Sequence, residues 1–160
     1  MDFKNKVVLI TGASSGIGKQ AAIEFAKLGS NIILVARRKD KLEQVENELK
    51  QFNVTTLICP CDVSKKDQVE IMSKTVLEKF NFVDILVNNA GFAIYGSVLD
   101  LSIEEIESQM ETNYFGMIYC TKNFLPLMLK KKSGHVVNVA SVAASFGLPG
   151  ITSYCASKFA

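Results

Sequence analysis

The stretch VVLITGASSGIGKQAAIEFA, residues 7–26, decides the fold. It opens as a β-branched apolar run, passes through a glycine-rich turn, and continues with Ile17, Ala21, Ala22, Phe25 and Leu28 at helical spacing. Glycines in such a turn permit positive φ and close backbone approach. The helix that follows offers unpaired N–H groups to a phosphate. The spacing is TGxxxGxG, carried by Thr11, Gly12, Gly16 and Gly18 with Ser14, Ser15 and Ile17 between them. It is not the GxGxxG of the usual dinucleotide fingerprint. Its place between a first strand and a first helix favours a pyrophosphate cradle over a purely structural turn.

Four more apolar runs follow at strand length: NIILVA (31–36), VTTLI (54–58), DILVN (84–88) and HVVNVA (135–140), after KVVLI (6–10). They are continuous rather than alternating, as expected for strands covered on both faces. Helical patterns at 16–28, 39–51 and about 65–80 separate them, the second placing Leu42, Val45 and Leu49 on one stripe. A long helix is expected over 102–131, opened by a Ser102–Glu105 capping box and kinked or broken at Pro126. The run Lys130–Lys132 reads as a solvated helix end, where cations suit the dipole. Strand–helix alternation of this kind predicts an α/β protein, a doubly wound parallel sheet of the Rossmann type. No linker or repeat divides residues 1–160, so a single nucleotide-binding domain is expected.

Composition narrows the function. The 160 residues are 48% hydrophobic and 21% charged with a net charge of +2, which leaves no electrostatic footprint for nucleic acid. No apolar run reaches membrane-spanning length, and a cytoplasmic protein is the default expectation. Cys59 and Cys61 form C-x-C, Cys120 and Cys155 stand apart, and the chain holds 1 histidine. Buried thiols are expected rather than a metal site.

The second strand is followed by Arg37 and Arg38 where a dinucleotide fold would carry an acid for the ribose hydroxyls. A carboxylate there would repel a 2′-phosphate, whereas guanidinium donors grip one. NADP is therefore expected in preference to NAD.

TGASSGIG (11–18), CDVS (61–64), NNAG (88–91) and SVAASFGLPGITSYCASK (141–158), in this order, resemble the short-chain dehydrogenase/reductase family. The resemblance covers essentially the whole chain and implies roles position by position. Asp62, with Val63 beside it, would meet the adenine; Asn89 and Gly91 would lie along the ribose and nicotinamide. Asn113, Ser141, Tyr154 and Lys158 match the catalytic set. Asn113 would hold a water near the lysine, Ser141 would orient the substrate, Tyr154 would be the acid/base, and Lys158 would also hold the nicotinamide ribose.

The chemistry suits these residue types. A tyrosine hydroxyl is a poor acid–base catalyst at neutral pH unless a neighbouring ammonium favours the phenolate. Positions i and i+4 of a helix share a face, which brings Lys158 to Tyr154. The implied activity is hydride transfer between NADP and a ketone or secondary alcohol. Phe92, Ile94, Tyr95, Phe146, Leu148 and Ile151 either line an apolar substrate cleft or pack the core. Similarity to lipid-ketone reductases of the 3-ketosphinganine type points the same way.

Two other readings share the motifs. A non-catalytic NADP-binding regulator would be expected to lack the tyrosine or lysine; an epimerase or dehydratase of the extended branch would space its glycines TGxxGxxG. Family members continue beyond the tyrosine–lysine helix with further strands and a substrate loop. An N-terminal fragment, inactive by itself and with HVVNVA as an exposed edge, is therefore expected. The full enzyme is expected to pair with itself through the helical region 102–131 and the helix starting at 153.

Overall fold

A computed structural model describes residues 2–160. Its centre is a five-stranded, wholly parallel sheet: β1 (Val7–Thr11), β2 (Asn31–Ala36), β3 (Thr56–Pro60), β4 (Ile85–Asn88) and β5 (His135–Asn138). The strands lie in the order β3-β2-β1-β4-β5. The helices are α1 (Gly16–Lys27), α2 (Lys39–Leu49), α3 (Lys66–Phe80), α4 (Ile103–Met110), α5 (Gly116–Lys131) and α6 (Thr152–Phe159).

The pleat of β1 shows why its apolar run is continuous. Val8 and Ile10 join a core with Ala22, Ala26, Leu42, Val45 and Leu49 from α1 and α2. Val7 and Leu9 join the opposite core with Val69, Met72, Val76, Cys120, Phe124 and Met128 from α3 and α5. Successive side chains point to opposite faces, and both faces are covered, so each of these four positions must be apolar. The fold is the doubly wound α/β arrangement read from the sequence.

The chain winds from β1 out to β3, then returns to the other side of β1 with β4 and β5. Next to β1 the direction of winding reverses. The loops leaving β1 and β4 therefore diverge in front of the sheet and open a crevice at their carboxyl ends.

Several boundaries differ from expectation. β3 starts two residues later than the pattern VTTLI predicts, because its register pairs Ile32 with Thr56 and Ala36 with Pro60. Pro60 is tolerated there because β3 is an edge strand. Asp84 precedes β4 rather than opening it; its carboxylate accepts the Val7 N–H (2.9 Å) and Lys6 Nζ (3.0 Å). β5 forms the other edge, with Val137 45% exposed, so it is less covered than the inner strands.

The expected helix 102–131 opens on its capping box as predicted, with Ser102 Oγ accepting the Glu105 N–H and Glu105 Oε2 the Ser102 N–H. Its irregularity lies elsewhere. A π turn at Glu111–Phe115 separates α4 from α5, while Pro126 sits inside α5 without ending it. Lys131 is more than a solvated helix end: its ammonium lies 3.8 Å from the Phe82 ring centroid, a cation–π contact.

Candidate active site

A cleft of about 520 Å³ runs across the carboxyl ends of the strands, within the range of cofactor sites. The loop after β1 and the start of α1 contribute Gly12, Ser14, Ser15, Gly16 and Ile17; the end of β2 and the loop after it contribute Ala36, Arg37 and Arg38. Cys61, Asp62 and Val63 follow β3, Asn89 to Phe92 follow β4, and Val139 and Ala140 follow β5. Thr112 from the π turn, and Tyr154 and Lys158 from α6, complete the wall. Of the cofactor-binding and catalytic residues assigned from the sequence, three do not line it: Gly18, Asn113 and Ser141.

Thr11 is the hub of the crevice. Its buried hydroxyl accepts the N–H groups of Asn89 and Ala90, each at 3.0 Å. The Asn89 amide returns the link by donating to the carbonyls of Thr11 (2.9 Å) and Gly12 (3.3 Å). The two diverging loops are thus stapled together at the point where a ligand would enter between them. Gly12 turns the chain with φ of +66°, a conformation that favours glycine.

Gly18 works from below. A Cβ there would stand 2.5 Å from the Gly12 carbonyl oxygen and 2.5 Å from Asn89 Nδ2, so α1 can close on the turn only without a side chain. Gly18→Ala is expected to cost about 1–3 kcal/mol by overpacking. NADPH titrated by fluorescence should bind at least several-fold more weakly, and the melting temperature should fall. Wild-type affinity in this variant would show that the turn is not the cradle.

The turn suits an anion electrostatically. Ser15 occupies the N-cap of α1 in extended conformation, yet its side chain makes no capping bond, and no acid lies in the first turn. The first N–H groups of α1 are therefore left to an incoming negative group. Arg37 and Arg38 are both exposed at the next loop along the cleft. Beyond them, Asp62 Oδ1 accepts from the Ser64 N–H (3.0 Å) and hydroxyl (2.8 Å), which fixes its carboxylate at the end of β3. The thiols nearby are inert: burial pushes Cys59 up to about 11 and Cys61 and Cys120 up to about 12.

At the other end, α6 presents Tyr154 and Lys158 to the cleft, the ammonium 5.9 Å from the phenol ring centroid. Lys158 Nζ donates to the Val139 carbonyl at 3.1 Å, and burial lowers its pKa below the ordinary lysine value. Gly91 runs so close that a Cβ on it would lie 3.3 Å from that ammonium and 3.0 Å from Asn113 Oδ1. Asn113 stands behind this wall, buried. Its Oδ1 accepts the Phe92 N–H, and its Nδ2 donates to the Phe92 carbonyl and to Ser157 Oγ. Ser141 caps a short 3-10 turn, Val142–Ala144, by accepting the Ala143 N–H at 3.2 Å, which leaves its O–H proton free to donate.

The apolar candidates divide. Ile151 is buried with Ala143 and Cys155, and Leu148 and Tyr154 pack against that small cluster. Phe92 lines the cleft, whereas Tyr95 and Phe146 are 80% and 50% exposed. Sequence reasoning missed Thr112, Ala36, Val139 and Ala140 in the wall, and Gln109, Ser153 and Ser157 behind it. The only local signal of the last group was polar residues four apart, Gln109 with Asn113 and Ser153 with Ser157.

Comparison with known proteins agrees with this geometry. The family model "short chain dehydrogenase" matches residues 6–160. A mosquito protein described as dehydrogenase/reductase SDR family protein 7-like, from Anopheles gambiae, is 41% identical over 97% of this chain and 50% of its own length. The chain thus spans about half the length of this curated relative. Among solved structures, a metagenomic short-chain oxidoreductase in complex with NADP superposes with a TM-score of 0.95 at 30% identity, over 99% of this chain and 72% of that one. An NAD⁺-bound xylitol dehydrogenase superposes with a TM-score of 0.95 at 29% identity, over 99% and 62%. By sequence, by fold and by the cleft at the β1–β4 switch point, the chain belongs to the short-chain dehydrogenase/reductase family.

Proposed function

We propose that the protein is an NADP-dependent oxidoreductase acting on a ketone or secondary alcohol of apolar character, with Tyr154 as acid/base. The observation that carries this reading is the cleft itself. One continuous wall holds an uncapped helix N-terminus, two exposed arginines and a tyrosine–lysine pair. The residues present fit a dinucleotide: Gly12 and Gly18 leave a side-chain-free turn, and a Cβ at Gly18 would fill it.

Gly12, Ser14, Ser15, Gly16 and Ile17 would hold the pyrophosphate, Arg37 and Arg38 the 2′-phosphate, and Asp62 and Val63 the adenine. Asn89, Gly91 and Lys158 would hold the nicotinamide half. When bound, the nicotinamide supplies the hydride. The chain's own residues deal with the proton and the charge. Tyr154 gives its hydroxyl proton to the carbonyl oxygen in reduction and takes it back in oxidation. Lys158 places a positive charge beside the phenol, which favours the phenolate. Ser141, whose O–H is free to donate, would bond the substrate oxygen where negative charge develops. Asn113 fixes Phe92 and, through Ser157, the second turn of α6. Phe92 gives the wall its apolar character.

The setting we infer is the cytoplasm, where thiols such as Cys61 stay reduced. Among the described residues no helix is long and apolar enough to cross a membrane. Self-association would use the α4–α5 region, where Phe115 and Leu129 are 43% and 67% exposed.

Cofactor choice is the direct test. Each charge-assisted bond from guanidinium to phosphate is worth about 1.5–3 kcal/mol. Replacing Arg37 and Arg38 together by alanine is expected to raise the KM for NADPH by about tenfold or more while leaving that for NADH nearly unchanged. The measurement is initial rates of carbonyl reduction with each cofactor. A wild type that prefers NADH would overturn the arginine assignment; no turnover with any carbonyl would leave a cofactor-binding regulator as the better reading.

A further inference from the structure

Where α4 runs into the π turn, two buried side-chain amides stand four residues apart, Gln109 and Asn113. Facing them on α6 stand two buried serines, also four residues apart, Ser153 and Ser157. Each amide donates to its serine: Gln109 Nε2 to Ser153 Oγ at 2.9 Å, and Asn113 Nδ2 to Ser157 Oγ at 2.8 Å. Each also grips the loop after β4. Gln109 Oε1 accepts the Ile94 N–H at 3.0 Å, and Asn113 Oδ1 accepts the Phe92 N–H at 2.9 Å. The result is a ladder with two rungs, of which the family resemblance singled out only one.

Gln109 is fully buried and does not line the cleft. Its orientation is fixed by its partners. Nε2 donates to both the Glu105 carbonyl (3.3 Å) and Ser153 Oγ, and a flipped amide would turn an oxygen toward that carbonyl and an N–H toward the Ile94 N–H. Burying so polar a side chain is unfavourable unless every group is bonded, and here every group is. A leucine would fill the same space without that demand, so the amide has a further use to the molecule.

α6 has 8 residues, too few to hold its shape or direction without packing. Tyr154 lies in its first turn beside Ser153, and Lys158 lies in its second beside Ser157. The Asn113 rung therefore seats the lysine end, and the Gln109 rung seats the tyrosine end. A further backbone bond, Gly96 N–H to the Gly150 carbonyl at 2.9 Å, ties the same loop to the segment leading into α6.

We propose that Gln109 is a positioning residue: through Ser153 and the Ile94 N–H it fixes Tyr154 against the substrate-side wall at Phe92–Ile94. The proposal rests on the reading of Tyr154 as acid/base. A misplacement of about 1 Å at a reacting group costs on the order of 10²-fold in rate. The Asn113 rung still holds the Lys158 end of α6, so loosening the Gln109 rung displaces the Tyr154 end relative to substrate and leaves the lysine seated. The loss should appear in carbonyl turnover and not in the hold on the cofactor.

The test compares Gln109→Leu, Ser153→Ala and Ser153→Thr in the full-length protein. Gln109→Leu should lower kcat/KM for the carbonyl by about 10–100-fold, with the NADPH KM unmoved. Ser153→Ala should show a smaller loss of the same kind, and Ser153→Thr, which keeps the hydroxyl, should restore the rate. A folded Gln109→Leu with wild-type kinetics and only a lower melting temperature would overturn the proposal. If that variant does not fold, a Ser153→Ala protein with wild-type kinetics overturns it equally. A wild type without carbonyl turnover would refute the oxidoreductase reading, and this role with it; an active wild type with unaffected variants refutes this role alone.

Discussion

Tyr154→Phe is expected to lower carbonyl turnover by about 10²–10⁴-fold, the usual contribution of a positioned general acid. The substitution removes one oxygen from a ring that is only partly buried and that packs against the small cluster of Ala143, Ile151 and Cys155. That packing comes from the ring, which phenylalanine keeps. The phenol makes none of the side-chain bonds that seat α6; those belong to Ser153 and Ser157. The melting temperature should therefore stay close to wild type. NADPH affinity should also persist, because the glycine turn, the two arginines and Lys158 are untouched. The measurement is kcat with the best carbonyl found, alongside a fluorescence titration of NADPH. Retained turnover would remove Tyr154 from the chemistry, whereas a joint loss of turnover and NADPH binding would make it a binding residue instead.

The fold was legible because its signal is local. β1 is apolar from Val7 to Ile10 since both faces are covered, and that continuity can be read in four residues. The glycine turn was legible for the same reason: the need for a bare backbone at Gly18 is imposed by Gly12, six residues away in sequence. What was not legible depends on partners far along the chain. Thr11 looks like an ordinary strand end until Asn89 and Ala90 are brought to it, 78 and 79 residues later. Gln109 and Ser153 are 44 residues apart, and no periodicity in either helix announces that they meet. The irregular turn at 111–115 escaped for a related reason. Proline is the visible helix breaker, so Pro126 attracted the expected break, while the widened turn contains no residue that signals it. It sits where Asn113 bonds the Phe92 backbone and Ser157, and those bonds are tertiary.

Lys158→Met should be as damaging as the tyrosine substitution but should leave a different signature. Methionine matches the length of the lysine stem and removes the charge. With no cation beside the phenol, the negative charge that develops on its oxygen during proton transfer loses its partner. Turnover at neutral pH should fall by about 10²–10³-fold, and the KM for NADPH should rise because a wall residue of the nicotinamide half is lost. Stability should respond in the opposite sense. Burial lowers the Lys158 pKa, which means that the folded state holds this proton less tightly than the unfolded chain does. Below the folded pKa both states are charged and the desolvation penalty is carried in full. As pH rises through the folded value toward the ordinary lysine value, the unfolded chain binds more protons than the native state, and stability rises. The wild type should therefore gain stability relative to Lys158→Met across that alkaline window, against the loss of the bond from Nζ to the Val139 carbonyl, which removes a constant amount. Thermal melts of both proteins at a series of alkaline pH values measure the difference. A pH-independent gap would mean that the ammonium is not desolvated in the native protein. A loss confined to the KM for NADPH, with kcat retained, would mean that Lys158 holds the cofactor without acting on the phenol. The lysine that makes the phenol useful is thus expected to be one that the fold accommodates at a cost, as is usual for a charge placed in a binding wall.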